Sequence, residues 1–190
     1  MASDVTSVTD SKVLAAMSHP ARRRLLDVMH VQGPSTVTTL SKATGLAIGS
    51  VSHHLRTLAG AGLVEEVSDL ARDRRERWWQ PRASGLRWST RDFQGDASSA
   101  AIAEAALSLN LEHHTSKVRA WRARADEASA EWQDAAFSTD TWLRLSPAEL
   151  AALSVELNAL LERWHSRAVP DDGIEREHVF VFAHGIPGAP

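Results

Sequence analysis

The chain has 190 residues, 43% of them hydrophobic, which is enough for one or two small domains with packed cores. It contains seven Trp, no Tyr and no Cys, so disulfides, thiolate metal sites and cysteine nucleophiles are excluded together. The net charge of −3 conceals an asymmetry: residues 1–92 hold 13 Lys+Arg against 9 Asp+Glu, whereas 93–190 hold 8 against 15. A basic half suited to phosphates thus precedes an acidic half. No apolar run approaches the ~20 residues of a membrane span, and Met1–Asp10 lacks a basic or apolar signal region, so a soluble, cytoplasmic protein is expected.

Residues 1–10 are polar, rich in Ser and Thr, and read as a disordered tail. A short helix follows with Val13, Leu14 and Met17 on one face. Ser18-His19-Pro20 then restarts a helix, with Ser18 as cap and Pro20 in the first turn, where its missing N–H costs nothing. The second helix turns Leu25, Leu26 and Met29 inward and stops before Gly33-Pro34. Thr38 is the expected cap of a third short helix through Ala43, which Gly45 ends.

The segment LAIGSVSHHLRTLAGAGLV, residues 46–64, decides the functional class. At 100° per residue, Ile48, Val51, Leu55 and Leu58 gather on one side of a helix over 47–59. Gly49, Ser52, His53 and Arg56 fall opposite, with Ser50 nearer the edge. A helix presenting a small polar face, joined to its predecessor by a Gly-containing turn, describes a helix-turn-helix. Gly60 and Gly62 break it, and strands over 63–68 and 76–80 flank a tip, Asp69–Arg75, that carries Arg72, Arg74 and Arg75. A cationic hairpin over 63–80 beside a reading helix is a wing.

Residues 12–92 resemble the ArsR-type winged-helix repressors. The resemblance is carried by VLAAMSHPARRRLLDVM, by TLSKATGLAIGSVSHHLRTLAGAGLV, and by the hairpin ending RRERWWQP. Within it, the S-x-H-L element is Ser52, His53, His54 and Leu55, and the A-G-L-V ending is Ala61 to Val64. His19-Pro20 stands where that family has Asp-Pro, and Ala47 replaces the usual Ser cap of the reading helix. The resemblance implies a winged helix-turn-helix over 11–92, binding to double-stranded DNA, and dimers that pack terminal helices together.

Gly95 is read as the boundary to a third segment, residues 93–190, an acidic helical extension that matches no family by motif. A long helix is expected from about Ser98 to Phe137. Leu107, Leu111, His114, Val118, Trp121, Ala125, Ala128, Trp132 and Ala135 repeat along it every 3.5 residues, as in a seam between helices. The facing helix belongs either to a second subunit, as the family's dimers imply, or to this chain. Trp142–Leu145 and His178–Phe182 read as strands, a two-strand element. Between them Ser146-Pro147-Ala148-Glu149 forms a capping box before a helix striped by Leu150, Leu153, Leu157, Leu160, Leu161 and Trp164.

The expected chemistry is recognition of double-stranded DNA. Gly49, Ser50, Ser52, His53 and Arg56 face the major groove, and Arg72, Arg74 and Arg75 follow the backbone. His54 is read as a packing residue, and some of Arg22, Arg23 and Arg24 as ties to neighbouring helices. No metal site is expected, because Cys is absent and Glu112, His113 and His114 are adjacent rather than spaced by a helical turn. No cofactor and no catalysis are expected either, since the chain has no Gly-rich phosphate loop and no G-x-S-x-G elbow. Leu111, Val118, Trp121, Ala125, Ala128 and Trp132 are the expected dimer residues. Trp142 and Trp164, with Trp121 and Trp132 beside them, are candidates for a pocket taking a small apolar effector, or else a small core. The reading is thus a mainly α, homodimeric transcription regulator. Its alternative is a winged helix that docks proteins through the long helix.

Overall fold

Local capping chemistry sets the helices of the first half. The computed structural model describes residues 5–71, 76–83 and 85–189. Helix α1 (Ser11–Met17) begins where the Asp10 carboxylate accepts the Lys12 amide at 2.8 Å. Helix α2 (Pro20–Gln32) is capped by His19, not Ser18: Nδ1 of His19 accepts the Ala21 amide at 3.1 Å. Ser18 has helical dihedrals and closes α1 instead, its hydroxyl donating to the Leu14 carbonyl at 2.7 Å. A residue already in the helical well cannot serve as an N-cap, which needs extended backbone.

After Gly33, Ser35–Thr36 forms strand β2 and leads into α3 (Val37–Thr44). Thr36, rather than Thr38, accepts the Thr39 amide at 3.2 Å, because the helix starts earlier than its apolar pattern. Gly45 ends α3 at φ +73°, a left-handed conformation that favours Gly. Helix α4 (Ile48–Gly60) starts at Ala47 with no side-chain cap. Gly62, at φ +70°, turns the chain into strand β3 (Val64–Glu66). Strand β4 (Trp78–Pro81) runs antiparallel to β3, pairing Val64 with Pro81 and Glu66 with Trp79. Its other edge takes β2, Ser35 opposite Trp79, so the expected hairpin is a three-stranded sheet ordered β2-β4-β3.

Residues 5–10 do not belong to a disordered tail. Strand β1 (Val5–Ser7) pairs in parallel with β5 (Gly85–Arg87), and the Val8 amide continues the ladder to the Arg87 carbonyl at 2.8 Å. Val8 is buried, and this apolar anchor is what a count of Ser and Thr misses.

Leu14, Leu25, Met29, Leu40, Val51, Leu55 and Leu58 form the centre of the core, all at 1% exposure or less. Ile48 does not join them. It lies in the first turn of α4 and is 57% exposed.

Helix α5 (Ala97–Arg122) contributes Ala103 and Ala106 to the same core, and Ser11 bonds to Ser99 at 3.0 Å. Arg23 donates to the side chain of Asn110. These contacts carry the first compact unit to Glu112, with the second starting at His113. The expected boundary near Gly95 is therefore displaced along α5.

The second unit departs most from expectation. The helix expected to reach Phe137 ends at Arg122. A 3-10 turn (Ala125–Glu127) follows, and then a short α6 (Ala130–Ala135), where the Ser129 hydroxyl accepts the Trp132 amide. Ala128 and Ser129 are extended, so Ala125, Ala128 and Trp132 fall outside the helix that carries Leu111, Val118 and Trp121. A local Ser cap gives the backbone an alternative to helix, and here the alternative wins.

Helix α7 (Pro147–His165) has the predicted capping box, the Ser146 amide reaching Glu149 Oε2 at 2.7 Å and the Glu149 amide reaching Ser146 Oγ at 3.3 Å. Trp142–Leu145 and His178–Phe182 form no strand. Two isolated strands lack the neighbours that make a sheet stable. From 113 to 189 no residue is buried.

Candidate nucleic-acid interface

Burial orients α4. Val51, Leu55 and Leu58 are fully enclosed, and this leaves Gly49, His53 and Arg56 exposed on the opposite side, with Ser50 and Ser52 half-buried beside them. The five reading residues proposed from the sequence therefore share one outward region. Arg56 is the cation within it, and among the described residues its guanidinium has no hydrogen-bond or ion-pair partner. A free, exposed guanidinium on a helix otherwise carrying small side chains can approach a base edge or a phosphate closely.

The same face opens onto a cleft of about 680 Å³ between α4, the first turn of α3 and strand β4. Its polar lining includes Thr36, Thr38, Thr39, Ser52, Arg56 and Arg77. Sequence reasoning missed the Thr residues and Arg77 as members of the site. The signal was present: three Thr within Thr36–Thr39 at a helix start supply hydroxyls next to amides that have no intrahelical acceptor. Arg77 is held loosely at 3.8 Å from Glu66, and Arg82 lies 3.2 Å from Glu65. Trp79 lines the cleft, 8% exposed, with an indole N–H that has no partner among the described residues. Arg72, Arg74 and Arg75, the expected wing contacts, lie outside the described residues.

His19, His53 and His54 form an imidazole cluster where α2 begins against α4. The His54 ring lies 4.8 Å from that of His19 and 5.6 Å from that of His53, between centroids. His54 Nδ1 is buried and makes no hydrogen bond among the described residues, consistent with a packing residue. Withdrawal from water pushes its pKa below the ordinary histidine value, and His19, Arg22 and His53 add to the effect. Of the three arginines that open α2, two serve as ties. Arg22 donates to the carbonyls of Ala16 and, at 3.1 Å, Ala15, while Arg23 holds Asn110.

A family profile described as a helix-turn-helix domain matches residues 17–67, from the end of α1 to the strand after α4. Residues 17–67 are a helix-turn-helix domain. With the antiparallel β3–β4 hairpin after it, the domain is a winged one. None of the curated proteins matches the chain. Among solved structures, it is similar to a homodimeric winged helix-turn-helix DNA-binding domain from Mycobacterium bovis, a possible ArsR-family transcriptional regulator. That pair is 24% identical and covers 56% of this chain and 84% of the other, with a TM-score of 0.35. It is also similar to a MarR family regulator from Neisseria meningitidis, at 19% identity over 76% of this chain and 80% of the other, TM-score 0.35. A transcriptional regulator from Thermotoga maritima is 17% identical over 79% and 80%, with a TM-score of 0.32.

In the second unit the candidate effector pocket is not formed. Trp142 and Trp164 are 68% and 60% exposed, and the Trp164 ring is covered on one face by Arg167, whose guanidinium carbon sits 4.6 Å from the ring centroid. A pocket needs walls on several sides, and this unit has no buried residue to build them. His114 does approach a residue the linear spacing gave no hint of: its Nδ1 lies 3.4 Å from Nε2 of His184, with Phe180 and Phe182 stacked around it. Among the described residues no group of three or more His, Asp or Glu is gathered as for a metal ion. None of the helices there is long and apolar enough to cross a membrane.

Proposed function

We propose that this chain is a cytoplasmic, sequence-specific transcription regulator of ArsR type that binds double-stranded DNA as a homodimer. Helix α4 enters the major groove with Gly49, Ser50, Ser52, His53 and Arg56 toward the bases. The observation that carries this reading is Arg56: exposed, without a partner among the described residues, at the edge of a cleft shared with Arg77 and the Thr residues at the start of α3. A base pair offers a guanidinium two acceptors on guanine, and phosphates offer charge to the rest of the cleft. Arg72, Arg74 and Arg75 continue that charge along the backbone from the wing tip. The role is binding and not catalysis.

Two reading helices related by a two-fold axis select an inverted repeat, with half-site centres about 10 base pairs or a multiple apart. On α5, Leu111, Val118 and Trp121 remain as dimer residues on one helical face. The test of the function is selection of bound sequences from a random duplex pool. An enriched inverted repeat is expected. Failure of any duplex to enrich would overturn the reading in favour of a protein-docking winged helix.

A further inference from the structure

We propose that the imidazoles of His19, His53 and His54 form a proton-sensitive joint between α2 and the reading helix, through which acidification releases DNA. The proposal rests on the reading of α4 as the helix that contacts DNA. Its starting point is a cluster of three bases with nothing beside it to balance a charge. The His54 ring stands 4.8 Å from that of His19 and 5.6 Å from that of His53, between centroids. The groups whose charge acts on His54 are His19 and Arg22 at the start of α2 and His53 beside it on α4. None of these can carry a negative charge, and among the described residues no carboxylate of α1, α3 or β3 acts on the ring.

Two of the rings are built into the fold as neutral groups. His19 caps α2 through Nδ1, which accepts the Ala21 amide at 3.1 Å. A protonated Nδ1 has no lone pair to accept with and would set a donor against a donor, at a helix terminus whose dipole disfavours cations. His54 Nδ1 is shut off from water without a hydrogen bond among the described residues, so an imidazolium there would hold a buried donor unsatisfied. Arg22 is fixed beside the rings, its guanidinium tied to the carbonyls of Ala15 and Ala16. Withdrawal from water first, and then His19, Arg22 and His53, accordingly hold the His54 pKa below the ordinary histidine value.

The joint bears on the less firmly held end of the reading helix. Helix α4 begins at Ala47 without a side-chain cap, and Ile48 in its first turn is 57% exposed. Val51 is the one fully buried residue ahead of His53 and His54, whereas Leu55 and Leu58 anchor the helix beyond them. Charge shared between His19 and His54 therefore pushes the start of α4, with Gly49, Ser50 and Ser52, away from α2. The sign of the effect is distinctive. His53 lies on the reading face, and an imidazolium there by itself would strengthen attraction to phosphate, as would protonation of exposed histidines in general. Weaker binding in acid runs against that electrostatic background and reports on the contact between His19 and His54.

Two measurements on the full-length protein test this. In the first, affinity for the selected duplex is measured at pH 7.5, 6.5 and 5.5 and constant ionic strength, in the native chain, His19→Asn and His54→Leu. Excluding one proton from the bound form lowers affinity by at most about tenfold per pH unit, so a fall of about three- to tenfold from pH 6.5 to 5.5 is expected in the native chain. Asn at 19 keeps an acceptor for the Ala21 amide without a titrating ring. This variant is expected to bind like the native chain at pH 7.5 and to lose most of the fall, as is His54→Leu. His19 is exposed, so His19→Asn keeps the test decisive even where His54→Leu fails to fold. Affinity that rises in acid, or that falls equally in the native chain and the variants, overturns the proposal alone. A native chain that binds no duplex at pH 7.5 overturns the reading of α4, and the proposal with it. In the second measurement, the Ala21 amide resonance is followed against pH without DNA. Its midpoint is expected to move in His54→Leu, because each ring feels the other's charge. A midpoint indifferent to residue 54 overturns the joint, whatever the duplex does.

Discussion

Helices α4 and α7 carry the same kind of stripe and meet different fates. In α4, Val51, Leu55 and Leu58 are sealed from water by α2, α3 and the sheet. In α7, Leu153, Leu157 and Leu160 remain more than a third exposed, and nothing from 113 onward is buried. The difference is not one of helix-forming sequence, since α7 has the better start, a full capping box, where α4 has an uncapped Ala47. What separates them is the supply of facing elements. The first unit folds three helices and a sheet around α4, whereas the second holds, beside α7, only the end of α5, a 3-10 turn, a short α6 and loops, and none of its residues from 113 to 189 is buried. The apolar face of α7 therefore stays largely exposed, whereas that of α4 is enclosed.

The comparison can be broken most forcefully at its buried end. Leu55→Ala is expected to cost about 2–5 kcal/mol of stability in the first unit by leaving a cavity, with loss of DNA binding. Leu153→Ala, on the exposed stripe, is expected to leave unfolding of the first unit unchanged. Denaturant melts of both variants check this, and equal losses would show the two stripes to be alike. Next in size is Arg56→Ala, expected to weaken binding to the selected duplex by about 1–3 kcal/mol while leaving the melting temperature unaltered. Unchanged affinity would mean that the exposed face of α4 is not the reading face.

Arg77→Ala should act more gently and without regard to sequence. Losing one phosphate contact lowers affinity for all duplexes alike and reduces the salt slope by about 0.9. A sequence-dependent loss would move Arg77 from the backbone to a base. The smallest effect is the pH dependence of the first unit. His54 titrates lower in the fold than the ordinary value of about 6.5, so below that pH the unfolded chain binds more protons and stability falls. Asp96 and Glu149 are held low by amide hydrogen bonds and titrate below this window. Melting temperatures at pH 7.5 and 5.5 should therefore differ in the native chain and converge in His54→Leu.

The first half was legible because its signals are local. The Gly45 stop, the Val51–Leu55–Leu58 spacing and the two halves of the hairpin each depend on a few neighbouring residues, and the packed arrangement agrees with all of them. Errors there were of capping: His19 for Ser18 and Thr36 for Thr38, each a question of which backbone is extended. Strand β1 was invisible because its partner, β5, lies about eighty residues away and contributes the pairing. In the second half a seam of period 3.5 was read through Ala135, yet the helix breaks at Arg122. Periodicity records which residues would share a face if the helix continued, and it does not record that α5 ends at Arg122 and a separate helix restarts at the Ser129 cap. The cleft was missed for a related reason, since it joins α3, α4 and β4, three elements whose convergence no single stretch of sequence displays.

The central claim is that the exposed face of α4 reads duplex DNA, and a salt titration of the full-length protein tests it most directly. Affinity for the selected duplex and for a scrambled one of equal length is measured from 50 to about 200 mM salt. The account predicts a steep linear fall of log affinity with log salt for both duplexes, with a preference for the selected one that persists across the range and shrinks in Arg56→Ala. Binding that ignores salt, or that never distinguishes the two duplexes, would contradict it.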